Sequence, residues 1–343
     1  MATPKTTWTV SLGFLLISVA WTGQAAMAAD AAHQANAKLG CGVNLGNALE
    51  APVEGQWGMK LQPEFFTLIK EAGFDSVRLP TKWSAHAAKE APYTIDPKFF
   101  ERVDWAVDQA EKNKLNLVLN VHHFDELDKD PTANKDRFLA IWKQIAERYR
   151  SRPDSLYLEL DNEPHDKLTD DLWNAMVPDA LKVVRASNPT RMVIIGPGMW
   201  NNVNNRAKLQ LPTDDRHIIV TFHYYLPFKF THQGAEWAKG SQDWLGTTWT
   251  ATPEQVAEMR RDFDKAANWA KEHDRPLYVG EFGAYSKADM DSRVAWTSSV
   301  VREARARAFS FAYWEFGAGF GIYDRDAKQW RAPLRDALIK TGR

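Results

Sequence analysis

Short apolar and β-branched runs alternate with longer amphipathic stretches along most of the chain. Eight of these runs are bounded by turn-forming residues and have the length and composition of buried strands. We predict the eight strands at residues 40–47, 75–81, 115–123, 155–164, 191–198, 218–225, 276–283 and 309–317. Their spacing leaves room for at least one helix after most strands.

The amphipathic stretches between these runs have the periodicity of helices. Residues 64–73 carry an apolar stripe and end at Gly73, a residue type that often terminates helices, and residues 289–306 behave likewise. Eight strand and helix units predict a parallel sheet that closes into a (β/α)8 TIM barrel. A doubly wound open sheet is the alternative, but no glycine-rich phosphate loop follows the first strand.

Residues 1–28 have the layout of a secretory signal peptide. Lys5 precedes an apolar run at residues 8–20, and small residues follow at 25–28. This run is shorter than the about 20 residues that span a bilayer, so we expect removal near Ala28 in preference to an uncleaved anchor. We therefore expect a secreted or periplasmic protein with no stable membrane association and one catalytic domain at residues 29–343.

Composition narrows the possible partners. The net charge is −1, with 43 basic and 44 acidic residues spread along the chain, so we expect no nucleic-acid partner. Cys41 is the single cysteine, which rules out an intrachain disulfide and a Cys-x-x-Cys metal site. No stretch of the sequence resembles a linker or an appended module, so we expect a single domain, and we expect it to be monomeric.

Polar residues lie at the carboxyl ends of nearly all the predicted strands, where TIM barrels place their chemistry. These residues are Asn44, Asn47, Arg78, His122, His123, Asn162, Glu163, His223, Tyr224, Tyr225, Glu281, Trp314 and Glu315. Such regular placement predicts a site at this end of the barrel.

Glu163 and Glu281 end the fourth and seventh predicted strands and can face each other across a barrel mouth. Glycoside hydrolysis needs one carboxylic acid to protonate the leaving oxygen and one carboxylate near the anomeric carbon. The acid requires a raised pKa and the nucleophile a depressed one. Alone, Glu163 could be a helix-capping carboxylate, but Pro164 marks a break in the strand that lets Asn162 and Glu163 both reach a cleft.

Several motifs together resemble those of glycoside hydrolase family 5. They are Asn162-Glu163-Pro164, Arg78, His122, His223-x-Tyr225, Glu281-Phe282-Gly283 and Trp314. The stretches 42–50, 231–237 and 280–285 resemble bacterial endoglucanases with combined glucanase and mannanase activity. This resemblance extends from about residue 40 to the end of the chain.

The resemblance implies a retaining endo-β-1,4-glycanase with Glu163 as acid/base, Glu281 as nucleophile and a polysaccharide substrate. The implied substrate-binding residues are Asn47, Glu50, Arg78, His122, His123, Asn162, His223, Tyr225, Trp237 and Trp314. Arg78 would lie beside Glu281 and favour its ionised form. Tyr225 could hydrogen-bond the nucleophile, His223 would support the acid/base, and Trp314 would form a floor under the sugar. The loop after strand six, with His232, Glu236 and Trp237, would hold neighbouring sugars.

Other functions remain open at this stage. His122 and His123 suggest a metal-dependent hydrolase, but adjacent histidines splay apart and a third ligand motif is missing, so we expect neither a metal nor a cofactor. A noncatalytic carbohydrate-binding barrel and an exo-acting β-glycosidase are further alternatives. Asp161 departs from the family pattern, and we assign it no role. Tyr224 is expected to pack in the core.

Overall fold

The chain folds into one closed barrel of eight parallel strands, as predicted. The computed structural model describes residues 1–2 and 30–342, so nearly all of the predicted signal peptide lies outside the described residues. The strands are β1 Cys41–Asn44, β2 Ser76–Leu79, β3 Asn116–Asn120, β4 Leu156–Glu159, β5 Val193–Ile195, β6 Ile218–Tyr224, β7 Leu277–Phe282 and β8 Ser310–Tyr313. The doubly wound alternative is therefore wrong.

Helices cover the outside of the barrel. They are α1 at 30–39, α2 Pro63–Glu71, α3 Pro97–Lys112, α4 Asp125–Lys129, α5 Pro131–Tyr149, α6 Asp170–Arg185, α7 Gly198–Asn201, α8 Phe228–Thr231, α9 Pro253–His273, α10 Met290–Arg305 and α11 Ala332–Ile339. Short 3-10 turns lie at Trp83–His86, Asn205–Lys208 and Ser241–Trp244, and a small antiparallel pair, β9 Tyr323–Asp324 and β10 Gln329–Trp330, follows β8. Within the described residues, no helix is long and apolar enough to cross a membrane.

Local sequence sets the helix boundaries that were predicted. Helix α2 ends just before Gly73, whose φ of 95° suits a glycine and whose N–H donates to the Lys70 carbonyl. Helix α10 begins after Asp289, whose carboxylate accepts from the Ser292 N–H. Both predicted helices are therefore confirmed to within a few residues.

The strands end earlier than the sequence pattern predicted. The predicted strand at 155–164 contains β4, which stops at Glu159. Two cross-strand hydrogen bonds continue beyond it, from the Leu160 N–H to the Ile194 carbonyl at 3.0 Å and from the Asn162 N–H to the Val121 carbonyl at 2.9 Å. Asn162 and Glu163, which are adjacent in sequence, both follow the end of β4 and contact the same site.

The bottom of the barrel is closed by α1. Leu39 packs in the barrel interior with a small apolar cluster of Val118, Tyr157, Ile194, Ile219, Tyr278 and Ala312. The Asn36 amide donates to the Leu277 carbonyl at 3.0 Å and accepts from the Ser310 hydroxyl at 2.6 Å. Residues from 30 onward therefore belong to the folded domain, and the opposite end of the barrel is left for the site.

Candidate active site

Arg78 lies at the centre of the barrel mouth, fully buried, and all five of its N–H donors have acceptors. Nε and Nη2 form a bidentate pair with Glu159 at 2.6 and 2.9 Å. Nη1 donates to Glu281 at 2.6 Å and to Asn44 at 2.9 Å, and Nη2 also donates to Asn162 at 2.7 Å. The guanidinium therefore ties strands β1, β2, β4 and β7 into one rigid arrangement.

Glu281 receives a hydrogen bond on each carboxylate oxygen. Arg78 donates to Oε1, and the Tyr225 hydroxyl donates to Oε2 at 2.9 Å, as predicted. The expectation of a depressed pKa is wrong in its net direction. Burial raises the pKa of Glu281, and the positive charge of Arg78 and the nearby His223 ring only oppose that shift. The two donors still orient the carboxylate and favour its ionised form.

Glu163 follows β4 and faces the same cleft. The Nδ1 atom of His223 lies 2.6 Å from its Oε1. Burial raises the pKa of Glu163 to about 7, with Arg78 and His165 opposing the shift, which agrees with the expectation for a general acid. Burial lowers the pKa of His223 to about 4, so the ring is neutral near pH 7 and the contact is a hydrogen bond.

One carboxylate oxygen of Glu163, one of Glu281 and the His223 nitrogen lie within 4.8 Å of one another. Among the described residues this is a group compact enough to hold a metal ion. Arg78 and Tyr225 already occupy both oxygens of Glu281, however, and a cation there would face the guanidinium. The close approach of two carboxyl groups with different hydrogen-bond partners is better suited to acid–base and nucleophilic work.

Buried His122 and partly buried Trp314 form an aromatic pair after β3 and β8. The rings of His122 and Trp314 stack with centroids 5.8 Å apart, and the Asn120 amide nitrogen is 3.0 Å from His122 Nδ1. A Cβ at Gly46 would lie 2.9 Å from the Trp314 ring, so only glycine lets the ring rest against the loop after β1. The role of Trp314 as a floor under the sugar stays a prediction.

The ring of His123 lies edge-on against that of His122, so the expectation that these adjacent histidines splay apart is wrong. Its backbone φ is 52°, and the two rings are nearly perpendicular with centroids 4.5 Å apart. Its ring also meets the edge of the half-exposed Trp57 at 5.7 Å. His123 and Trp57 thus form one wall of the cleft.

Glu50 is buried and accepts a hydrogen bond from the backbone of Asn47. Its carboxylate accepts hydrogen bonds from the Asn47 and Ala48 backbone N–H groups, the second at 2.9 Å. Burial raises the pKa of Glu50 to about 8. The carboxylate therefore holds the loop that presents Asn47, whose φ is 63°. The resemblance implies that Glu50 binds the substrate, whereas its partners in the structure are backbone amides.

The loop after β6 brings Trp237 to the surface of the cleft, where it is 63% exposed. Tyr285 meets its ring edge-on at 5.0 Å, and the Tyr285 hydroxyl donates to Glu236 at 2.7 Å. His232 is instead buried and stacks on Phe228 with centroids 4.0 Å apart. Of the predicted loop residues, Trp237 is thus presented for stacking, and His232 supports the loop from below.

The remaining sequence predictions concern two buried side chains. Tyr224 packs against Phe263 and Trp296 in the core, as expected. Asp161 is buried, and burial raises its pKa well above the usual range, with Asp128 and Glu159 adding to the shift.

Sequence reasoning missed two residues that contact the site. Glu159 is the bidentate partner of Arg78, and its only signal was a carboxylate inside an otherwise apolar strand. Asn201 donates to the Asn162 carbonyl and lies 3.5 Å from His223 Nε2. It follows a strand by several residues, and nothing in the pattern distinguished it from the four other asparagines at 202, 204, 205 and 188.

Known proteins resemble this chain in sequence and in fold. The family model for cellulase (glycosyl hydrolase family 5) matches residues 40–319. Endoglucanase H of Acetivibrio thermocellus is 38% identical over 312 residues, which cover 89% of this chain and 33% of that protein. The chain thus spans about a third of that relative's length. Endoglucanase B of Clostridium cellulovorans is 29% identical, with 87% and 73% covered.

Solved structures agree with the sequence relatives. Two structures of Thermotoga maritima Cel5A, one in complex with cellobiose and one with mannotriose, are 49% identical to this chain with a TM-score of 0.89. In both, 90% of this chain and 100% of the other chain are covered. The cellulose synthase subunit Z of Clostridioides difficile is 40% identical, with a TM-score of 0.84 and 87% and 98% covered.

Proposed function

Because this chain belongs to the cellulase family, glycosyl hydrolase family 5, we propose that it is a retaining endo-β-1,4-glycanase that hydrolyses β-1,4-glucan and β-1,4-mannan. The observation that carries the proposal is the approach of Glu163 and Glu281 carboxylate oxygens to within 4.8 Å. Retaining glycosidases hold their carboxyl groups about 5 Å apart, whereas inverting enzymes separate them by roughly 6.5–9.5 Å to admit a water molecule.

In the first step, protonated Glu163 gives its proton to the glycosidic oxygen while Glu281 attacks the anomeric carbon. The bond to the leaving sugar breaks as the bond to the Glu281 oxygen forms. The pKa of about 7 keeps a large fraction of Glu163 protonated near neutrality. Arg78 and Tyr225 hold Glu281 in one orientation for attack.

In the second step, ionised Glu163 takes a proton from water, and the resulting hydroxide equivalent displaces Glu281 from the anomeric carbon. Two inversions give net retention. Nδ1 of the neutral His223 ring lies 2.6 Å from Glu163 Oε1, and when this nitrogen carries the ring proton it donates to the ionised carboxylate and supports its basic form.

Substrate breadth is the less direct part of the proposal. Glucose and mannose differ in the orientation of the C2 hydroxyl, which contacts the enzyme in the transition state. Arg78 donates to the side-chain oxygen of Asn162, so the side-chain nitrogen of Asn162 is the atom offered to this hydroxyl. Asn47 and His123 provide further polar groups on the facing loops. The similarity to a protein crystallised with both cellobiose and mannotriose supports use of both polymers.

We further propose that the protein is exported, with residues 1–28 as its signal peptide. An endo mode of cleavage is favoured over an exo mode by the exposed aromatics Trp57, Trp200 and Trp237, which follow three different strands and offer rings for several sugars to stack on. A noncatalytic binding barrel would not need the separate hydrogen-bond partners of the two glutamates.

The test is the Glu281→Ala variant assayed on soluble β-glucan. We expect turnover to disappear while binding of the polysaccharide persists, and added azide to restore cleavage as an α-glycosyl azide. Full activity in this variant would refute the assignment of Glu281. Retained binding without any turnover in the unaltered protein would instead support the noncatalytic alternative.

A further inference from the structure

A left-handed turn after β5 places one asparagine beneath the acid/base. Met199, Trp200 and Asn201 have φ values of 56°, 58° and 51°, which non-glycine residues seldom adopt consecutively. The Trp200 N–H donates to the Pro164 carbonyl, which ties the turn to the segment that carries Glu163. The side chain of Asn201 is fully buried. The turn thus points an amide into the layer below the catalytic cleft.

The Asn201 amide has a defined orientation. Its Nδ2 donates to the backbone carbonyl of Asn162, and a carbonyl oxygen in that position would repel another carbonyl. The same nitrogen lies 3.5 Å from Nε2 of His223, at the long end of the hydrogen-bond range. An amide nitrogen carries two hydrogens, so it can donate to both acceptors at once.

The other nitrogen of the same ring contacts the acid/base. His223 Nδ1 lies 2.6 Å from Glu163 Oε1. A neutral imidazole has one N–H and one lone pair, and its partners determine which nitrogen carries the proton. We propose that Asn201 is a positioning residue that donates to His223 Nε2 and thereby holds the ring as the Nδ1–H tautomer, with this N–H directed at Glu163.

The tautomer decides where the proton of Glu163 goes. When Nδ1 carries the hydrogen, it donates to Oε1, and the acid proton of Glu163 stays on the oxygen that faces the glycosidic bond. When Nε2 carries the hydrogen, Nδ1 presents a lone pair that accepts the Glu163 proton and draws it away from the leaving group. The inference rests on the proposed role of Glu163 and extends it to a residue outside the cleft.

The surroundings of His223 fit a neutral ring of fixed tautomer. Glu163 and Glu281 face Nδ1, with Glu281 at 3.6 Å, and the Arg78 charge opposes protonation. Glu159 is the remaining charge that acts on the ring, and it is paired with Arg78. The side chain of Asn201 lies within hydrogen-bond distance of Nε2.

Gly196 makes room for this amide. A Cβ at Gly196 would lie 2.0 Å from Asn201 Oδ1 and 2.4 Å from its Cγ, so even alanine displaces the side chain. The chain therefore offers two independent ways to remove the contact. Asn201→Gly deletes the amide and suits the left-handed backbone, whereas Gly196→Ala pushes the intact amide out of place.

The experiment measures the two single variants and the double variant. Asn202→Ala, at the exposed neighbouring asparagine, serves as the matched control. For β-glucan, whose leaving group needs protonation, we expect kcat/KM to fall about tenfold in each single variant. The double variant should lose no more than either single one, because both remove the same contact. Asn202→Ala should keep the original value.

Two further measurements distinguish positioning from simple damage. With 2,4-dinitrophenyl β-cellobioside, whose leaving group departs without an acid, kcat/KM should stay unchanged in all variants. Nitrogen-15 NMR of the His223 ring should show Nδ1–H in the unaltered protein and a shift toward Nε2–H in Asn201→Gly. The NMR result does not depend on the catalytic role of Glu163, so it separates failure of this inference from failure of the proposed function. An Nδ1–H ring in both proteins, or equal losses on both substrates, would overturn the inference.

Discussion

One guanidinium nitrogen of Arg78 lies 2.6 Å from a carboxylate oxygen of Glu281, and both side chains are buried. The same guanidinium forms a bidentate pair with Glu159. Arg78, itself held by Glu159, thus fixes the position of Glu281, the proposed nucleophile. This arrangement leads to the first of the following predictions.

Replacing Arg78 with methionine should destabilise the protein strongly, because it leaves Glu159 buried without its partner. Removal of one member of a buried ion pair typically costs about 3–5 kcal/mol of unfolding free energy, against at most about 1 kcal/mol for an exposed pair. The exposed control is Arg148→Met, which breaks a surface pair with Asp104. Urea unfolding measures both. Adding Glu159→Gln to Arg78→Met should recover part of the loss, and failure to do so would contradict this explanation.

The pH dependence of kcat/KM should follow the two glutamates. Glu163 must be protonated for the first step, and its pKa of about 7 predicts that activity falls as the pH rises through that value. Glu281 must be ionised for attack. Because burial raises its pKa above 4.5, activity should already begin to fall at a pH above 4.5 as the solution is made more acidic. Rates on β-glucan across the range test this. A constant rate up to about pH 9 would exclude Glu163 as the acid.

On 2,4-dinitrophenyl β-cellobioside, which needs no acid, kcat/KM should show no alkaline fall in the unaltered protein or in Glu163→Gln. The remaining acid-side fall then belongs to Glu281. An alkaline fall that persists in this variant would assign it to another group.

Metal removal should leave the rate unchanged. The carboxylate mechanism needs no metal, and Arg78 and Tyr225 occupy the nucleophile's oxygens. Initial rates before and after exhaustive dialysis against EDTA measure this. Loss of activity that zinc restores would make the group of Glu163, His223 and Glu281 a metal site and require a different mechanism.

Discrimination between glucan and mannan should depend on the loop that carries Asn47. Glu50→Ala removes the carboxylate that holds this loop, and His123→Ala removes one wall of the cleft. We expect both changes to lower kcat/KM on glucomannan more than on β-glucan, by about tenfold, because the axial hydroxyl needs the alternative partners. Trp105→Phe, remote from the cleft, serves as the control. An unchanged ratio of the two rates in both variants would remove this explanation.

The barrel could be predicted because its signal is local and repeated. Each strand is a short apolar run, and a run such as residues 218–225 coincides with β6 almost to the residue. The pattern could not show where each strand ends, because buried residues such as Leu160 continue past the end of β4. Strand ends were therefore predicted too long on the side that forms the site.

Those residues of the candidate site that belong to recognisable sequence motifs could be predicted. Glu163, Glu281 and Arg78 stand at strand ends within recognisable stretches, and the structure brings them together. Glu159 and Asn201 lie outside those motifs and act through contacts between distant strands, which spacing along the chain does not encode. The net pKa direction of Glu281 was also mispredicted, since it depends on how much burial offsets the charge of Arg78.

The configuration of the first product tests the central claim most directly. Proton NMR of the reducing end, recorded during early hydrolysis of a soluble β-1,4-glucan before mutarotation, distinguishes the two mechanisms. A double displacement through Glu281 predicts that the β-anomer appears first and the α-anomer grows only later. Initial release of the α-anomer would contradict the account, because it requires a single displacement by water and leaves Glu281 without its role as nucleophile.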